Sequence, residues 1–216
     1  LAGAAWFAGG AALAAEPLSV DLSSHVVSVS AGFAGAELLL FGAVDGPGDI
    51  IVVVRGPPQR VTVRKKERLG GIWINTESFR FTDVPGFYGV ASTRPLGDVA
   101  SPVVLELHGI GVDQLRFEPA GANSDVALDL SGQSFAALSR IKQDQGLYGN
   151  EVGKVTFIGD RLFRSAIQLP ANVPIGTYDV RVFLLRDGNV AGIRATPLVI
   201  EKTGIGAAIF RFAHRN

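Results

Sequence analysis

The sequence predicts a mainly β protein: a single antiparallel, immunoglobulin-like β-sandwich that carries a helical insertion. Three observations lead to this fold class. Apolar and polar residues alternate with period two in short segments from Leu18 to about Ser92, and Gly, Pro and Asp separate the segments. The same rhythm returns between Val155 and Glu201, after a stretch with helical spacing. The later segments are too few for a core of their own, so both regions are expected to share one core.

The first β region contains alternating strands and two more continuously apolar ones. His25–Ser30 alternates, whereas Glu37–Ala43 and Asp49–Arg55 are apolar along most of their length and predict interior strands. Alternation resumes after Pro57-Pro58 and continues to a turn at Pro85-Gly86. Across both β regions, we expect the following side chains to be largely buried: Val27, Phe41, Val53, Phe79, Phe81, Tyr178, Val180 and Val182.

A helical insertion is predicted over Arg94–Gly149. One helix covers Pro95 to Gly109, where Ser101-Pro102 is a cap followed by a first-turn proline, and His108 suits the negative end of the helix dipole. A second helix covers Ser131 to Gln145, with Ser131 or Ser134 as its N-cap and Gly146 as its stop.

Four strands are predicted after the insertion. They cover Val155–Ile158, Leu162–Leu169, Thr177–Arg186 and Asn189–Glu201. Asp187-Gly188 between the last two is the strongest short hairpin signal in the chain, because a type I′ turn needs positive φ at both central residues.

Composition excludes several classes of function. The formal net charge is zero, which argues against a nucleic-acid partner. The chain has no cysteine, and therefore no thiol chemistry or zinc–thiolate site. Its three histidines, His25, His108 and His214, lack any metal-ligand spacing. We expect no metal and no cofactor.

The two ends of the sequence predict an exported, anchored protein. Residues 1–14 end in the Ala-x-Ala pair Ala12 and Ala14, which is typical of a signal-peptide cleavage site, so they are interpreted as a signal-peptide remnant. The periplasmic domain is expected over residues 15–203. Residues 204–216 combine an apolar stripe with Arg211 and Arg215, which predicts a stalk leading to a membrane helix beyond this fragment.

One basic run is the candidate interaction surface. It consists of Arg64, Lys65, Lys66 and Arg68, with Arg55 and Arg60 nearby and Trp73 shortly after it. Such a run can receive an anion, an acidic partner or lipid headgroups. Alternatively, basic residues protect an exposed strand end from pairing with other chains, and Trp73 fills the core.

A second motif superficially resembles a hydrolase nucleophile elbow. Gly132-Gln133-Ser134-Phe135-Ala136 follows an apolar run, but Ala136 replaces the last glycine and no parallel βαβ pattern surrounds it. A helix cap explains the same residues more simply. A hydrolase that uses Ser134 and His25 is kept as an alternative, and its test is whether either residue has an acid–base partner in a pocket.

Several runs resemble an uncharacterised alphaproteobacterial family of putative transmembrane proteins. The matching runs are 21–25, 35–43, 46–49, 52–57, 64–68, 71–75, 83–88 and 169–178. The resemblance implies an exported domain followed by a single C-terminal membrane helix, and some members are encoded beside a sulfite-exporter-like permease. It implies no catalytic residues.

These observations together predict a non-enzymatic periplasmic domain anchored to the inner membrane. Its expected role is that of an accessory or interaction module for an inner-membrane transporter, with a permease as the partner. The alternatives are the Ser134/His25 hydrolase and a sandwich that binds a small anion through the basic hairpin at residues 64–68.

Overall fold

The computed structural model describes residues 16–69, 71–119 and 126–203. The predicted signal-peptide remnant (residues 1–14) and stalk (residues 204–216) lie outside these residues. The described chain is mainly β, with these elements in order: β1 (Leu18–Leu22), β2 (Val26–Val29), β3 (Ala36–Val44), β4 (Asp49–Arg55), β5 (Pro58–Leu69), β6 (Ile72–Pro85), β7 (Tyr88–Ser92), α1 (Leu96–Val99), α2 (Pro102–His108), a 3-10 turn (Val112–Gln114), β8 (Glu118–Pro119), α3 (Val126–Asp144), β9 (Gly153–Ile158), β10 (Leu162–Leu169), β11 (Gly176–Arg186) and β12 (Asn189–Lys202).

Nine of the strands form one large sheet in the order β1-β3-β10-β9-β7-β4-β11-β12-β2. Most neighbouring pairs are antiparallel, in agreement with the predicted fold class. Two pairings are parallel: β2 with β12, and β7 with β9 over Ala91 and Ser92. The prediction of a purely antiparallel arrangement was therefore wrong at these two places, because period two reports which face is buried but not the direction of the partner strand.

The sheet curls until its first strand meets β12. Arg194 Nε donates a hydrogen bond to the backbone oxygen of Leu18 at 3.1 Å, and Gly192 lies against Pro17 and Leu18. The concave side of the curl holds the largest apolar cluster, to which β11 contributes Tyr178, Val180 and Val182. Buried and exposed positions alternate strictly along β10, and the buried apolar side chains of this strand line the same cluster.

The helical segments cover part of the convex side of the sheet. β4 and β11 present Ile51, Val53 and Phe183 there, and these side chains pack with Val99, Ile110 and Tyr148 from the segment between β7 and β9. β4 is buried on both faces along most of its length, and β11 is buried on both faces at residues 182–185, which agrees with the continuously apolar sequence of these two stretches.

β5 and β6 leave the large sheet and form a long ribbon of their own. They pair with each other and, at Phe81 and Thr82, with β8. Their inner face belongs to a small separate cluster around Phe81, Val84 and Leu138. The expectation that every strand between Leu18 and Ser92 shares one core was therefore wrong for this ribbon.

Helix ends follow the predicted capping chemistry in two of three places. The Ser101 hydroxyl caps α2 by accepting a hydrogen bond from the Val104 amide, and Gly109 ends that helix in the left-handed region. Gly146 follows α3 with φ 69°. However, α3 begins at Val126, so Ser131 and Ser134 lie inside the helix and neither is its N-cap.

Most of the predicted core is buried. Val53, Phe81, Tyr178, Val180 and Val182 are at most 2% exposed, and Val27 and Phe79 are partly buried. Phe41 is 44% exposed, so its predicted burial was wrong. The continuous apolar run of β3 hides the alternation in which Leu38 and Leu40 point inward while Leu39 and Phe41 point outward.

Candidate interaction surface

The β5–β6 ribbon places the predicted basic residues. Its strands pair from Pro58 with Pro85, at the root, to Leu69 with Ile72, at the tip. β8 supports the ribbon beside its root, so the part beyond Phe79 is two-stranded in the described sheet pairing. The predicted basic hairpin is present, but its separation from the large sheet was not predicted.

Alternation along the ribbon gives it one basic face. Arg60, Thr62 and Arg64 are exposed, whereas Val61 and Val63 between them are partly buried. In the partner strand Arg80 is exposed and pairs with Thr62. Arg60, Arg64 and Arg80 therefore share the outer face. Sequence reasoning missed Arg80, which only the hairpin register brings beside the basic run.

The other predicted residues lie further along the ribbon. Arg68 is exposed and pairs with Trp73, while Lys65 and Lys66 pair with Glu77 and Asn75. The side chains of Lys65, Lys66 and Trp73 lie outside what the structure describes, so their roles stay predictions. At the tip, Ile72 is 70% exposed. An apolar side chain therefore stands in water at the end of a basic ribbon.

Contacts with α3 and its C-terminal loop hold the root of the ribbon. Leu138 packs between Phe81 and Val84, and Lys142 Nζ donates to Gln59 Oε1 at 3.0 Å. Burial lowers the pKa of Lys142. The Tyr148 hydroxyl donates to the backbone oxygen of Pro85 at 2.9 Å. The ribbon thus has a fixed base.

The root also lies at the end of the sheet where β12 finishes. Gly176, the first residue of β11, lies so close to Pro57 that an added Cβ would be 2.9 Å from the proline ring. Gly176 pairs with Ile200, near the end of β12, and the Thr203 amide donates to the Val29 backbone oxygen. The described chain therefore ends on the same side of the domain from which the ribbon starts.

Arg55 does not belong to this basic surface, although it is close in sequence. Its Nη2 donates to the backbone oxygens of His108 and Gly109 at 2.8 and 3.0 Å. The Tyr88 hydroxyl donates to the same Gly109 oxygen at 2.7 Å and accepts from the Gly111 amide. These bonds fasten the C-terminal end of α2 to the sheet, which is a structural role.

The contacts of His25 do not form a catalytic relay. Its Nε2 lies 3.3 Å from Asp21 Oδ1 and 3.4 Å from Thr196 Oγ1, and half of the side chain is exposed. A relay needs the acid on one ring nitrogen and the nucleophile on the other. Ser134 lies in α3, and its side chain is outside the described part. The structure therefore does not bring the two predicted hydrolase residues together in a described site.

Two apolar features lie elsewhere on the sheet. On its outer face, Leu39, Phe41, Ile158 and Leu162 are each between 37% and 54% exposed. A cavity of about 260 Å³ opens between β7 and β10, with mostly apolar walls to which Glu151 and Gln168 also contribute. Among residues 16–69, 71–119 and 126–203, no three His, Asp or Glu side chains are grouped as metal ligands.

The described residues thus form a mainly β domain from which a basic two-stranded ribbon extends. The chain belongs to a family described as "putative transmembrane protein", which it matches over residues 17–216. No curated protein and no solved structure matches it. Within the described residues, no helix is both long enough and apolar enough to cross a bilayer.

Proposed function

We propose that this chain is a non-enzymatic, periplasmic interaction domain of an inner-membrane protein, and that it acts as an accessory to a transporter in the same membrane. Membership of a transmembrane family supports the membrane location. The observation that carries the proposal is the position of the basic ribbon, whose root lies beside the end of β12. A surface at that end is well placed to contact a neighbouring membrane protein.

We further propose that the domain is an immunoglobulin-like sandwich, a fold used by many cell-surface domains. Support comes from the order β1-β3-β10-β9 in one half of the curled sheet and β12-β11-β4-β7 in the other. These correspond to strands A-B-E-D and G-F-C-C′ of that fold. The Tyr178 hydroxyl donates to the Pro174 backbone oxygen at 2.6 Å near the start of β11, which corresponds to a tyrosine corner.

The alternative that the geometry favours is binding of a small anion by the ribbon. Guanidinium groups recognise phosphate and carboxylate through paired N–H donors, and Arg60, Arg64 and Arg80 share one face. No described observation favours the Ser134/His25 hydrolase. Fold alone supports neither function, because one architecture serves many activities.

Affinity purification of the full-length protein from its own membrane tests the transporter role. We expect a multi-spanning permease to be enriched with the natural protein and lost from a variant with Arg60→Gln, Arg64→Gln and Arg80→Gln. A matched variant with Lys154→Gln, Arg161→Gln and Arg164→Gln removes the same charge from exposed positions of β9, β10 and the turn between them, and should retain the permease. If no integral membrane protein is enriched over an untagged control, the transporter role is wrong.

A further inference from the structure

We propose that the arginine face of the ribbon, formed by Arg60, Arg64 and Arg80, binds the anionic headgroups of a phospholipid membrane. The proposal deepens the function above and rests on it for the presence of a membrane beside the domain. The shared chemistry is recognition of phosphate oxygens by guanidinium groups. The spread of the arginines, the charge of the ribbon, its tip and its orientation favour a membrane surface as the source of that phosphate.

The three arginines are spread along the ribbon. Arg60 and Arg64 lie on the same face of β5, about 13 Å apart at the usual rise of a strand. Arg80 lies opposite Thr62, between them, on the neighbouring strand, and the two strands are about 5 Å apart. A small anion is usually bound by donors that converge on one point within a concave site. A row along an open ribbon instead fits an extended anionic surface.

The ribbon has an excess of positive charge. The sequence from Pro58 to Pro85 contains six basic residues against three acidic ones, whereas the whole chain is neutral. The rest of the chain therefore has the opposite excess. Attraction between basic segments and anionic lipid acts within about one Debye length, roughly 8–10 Å at physiological salt. A ribbon that extends from the domain brings its charges within that range while the acidic remainder stays further away.

The tip of the ribbon exposes an apolar side chain. Ile72 is 70% exposed where the strands turn, and the exposed Arg68 donates from Nε to the backbone oxygen of Gly71, which precedes Ile72, at 3.4 Å. Apolar side chains flanked by basic ones are typical of segments that rest at the boundary between headgroups and acyl chains. The exposed isoleucine has no evident role in the folded domain, but it would be stabilised there.

The ribbon has a fixed orientation relative to the end of β12. The root of the ribbon contacts Gly176 through Pro57, and Gly176 pairs with Ile200 close to the end of β12. A connection to the membrane after β12 would therefore leave the domain beside the ribbon. Tyr148 and Lys142 hold the root, so the arginine face keeps its direction relative to that end.

Vesicle sedimentation with the 216-residue chain tests the proposal. The vesicles contain phosphatidylcholine alone or phosphatidylcholine mixed with phosphatidylglycerol. We expect binding to the anionic vesicles that weakens as salt rises, and little binding to neutral ones. Replacing Arg60, Arg64 and Arg80 together by glutamine should weaken binding about 100-fold, since each basic residue near the surface contributes roughly five-fold.

Two further variants make the test specific. The triple glutamine variant at Lys154, Arg161 and Arg164 has the same net charge and should bind like the natural chain. Ile72→Asp should weaken binding even at low salt, because it removes the apolar contact and adds a negative charge. All replaced side chains are exposed, so the unfolding midpoints should stay unchanged. If the triple arginine variant proves unstable, Arg60→Gln alone should still weaken binding roughly five-fold.

Three results would overturn the proposal. The first is the absence of binding to anionic vesicles. The second is an equal loss in both triple variants, which would show an effect of net charge alone. The third is displacement by soluble glycerol phosphate at the same phosphate concentration, which would show a small-anion site. A permease that still co-purifies after any of these results would leave the proposed transporter role standing.

Discussion

Phe41 and Phe81 are the same side chain in opposite surroundings. Phe81 is 2% exposed and packs at the ribbon root, whereas Phe41 is 44% exposed on the outer face of the sheet. Phe81→Ala should lower the free energy of unfolding by about 2–4 kcal/mol, the penalty for truncating a large core side chain. Phe41→Ala is the matched control and should cost about 1 kcal/mol or less. Urea denaturation measures both, and an equal loss would contradict the assigned orientations.

Tyr88 makes stability depend on pH in the alkaline range. Burial raises the pKa of Tyr88 from 10.0 to about 12. The folded protein then keeps a proton that the unfolded chain releases above pH 10, so this stabilisation is full below about pH 10 and is lost as pH rises towards 12. The unfolding free energy of the natural chain should fall more steeply than that of Tyr88→Phe, by about 1.4 kcal/mol per pH unit. Denaturant curves between pH 9 and 12 measure this difference, and equal slopes would exclude a buried neutral Tyr88.

The extent to which residues could be placed from the sequence depends on how local their determinants are. Tyr178 and Val180 alternate with polar neighbours, and their burial follows from that pattern alone. Arg80 joins the basic face through the register of the β5–β6 hairpin, which pairs it with Thr62, and the sequence of either strand alone does not reveal that register. Arg55 is close to the basic run in sequence, but its guanidinium group donates hydrogen bonds to backbone oxygens at the end of α2 and does not belong to the basic surface.

At the scale of elements, Gly109 and Gly146 end two helices in similar left-handed conformations, with φ of 58° and 69°. An added Cβ meets open space at Gly146, but at Gly109 it would lie 2.6 Å from Arg55 Nη2. Gly146→Ala should therefore lower the free energy of unfolding by about 1 kcal/mol, because only the left-handed backbone conformation opposes the added Cβ. Gly109→Ala should cost about 1 kcal/mol more, since Arg55 must release the carbonyl groups it holds. Thermal unfolding of both variants tests this, and equal costs would remove the assigned role of Arg55.

Strands and turns were more predictable than their pairing. The bounds of β4 follow from an apolar run and those of β10 from an alternating segment, each lying between turn residues. Asp187-Gly188 forms the predicted two-residue connection between β11 and β12. The start of α3 at Val126 was missed because Ser131 and Ser134 were taken as the N-cap, although the sequence has Asn123-Ser124-Asp125, residue types preferred at N-caps, directly before Val126. The parallel pairs formed by β2 and β7 depend on the closure of the whole sheet, which is not a local property.

At the scale of the whole molecule, the two larger apolar clusters share strands. β4 contributes Val52 and Val54 to the concave cluster and Ile51 and Val53 to the convex one. We therefore expect one cooperative unfolding transition. Far-UV circular dichroism of the strands and near-UV signals of the buried tyrosines should coincide, because Tyr178 belongs to the first cluster and Tyr88 to the second. Two separate transitions would show that the clusters are independent units.

The pairing of β2 with β12 has a consequence for the timing of folding. Val26, near the beginning of the domain, has Val199, near its end, as its partner. The first strand of the sheet likewise depends on Arg194 of the last hairpin. A chain that is synthesised from its N-terminus therefore cannot close this sheet until the last strand of the domain has left the ribosome. Until then the edges of the sheet stay unpaired and open to chaperones.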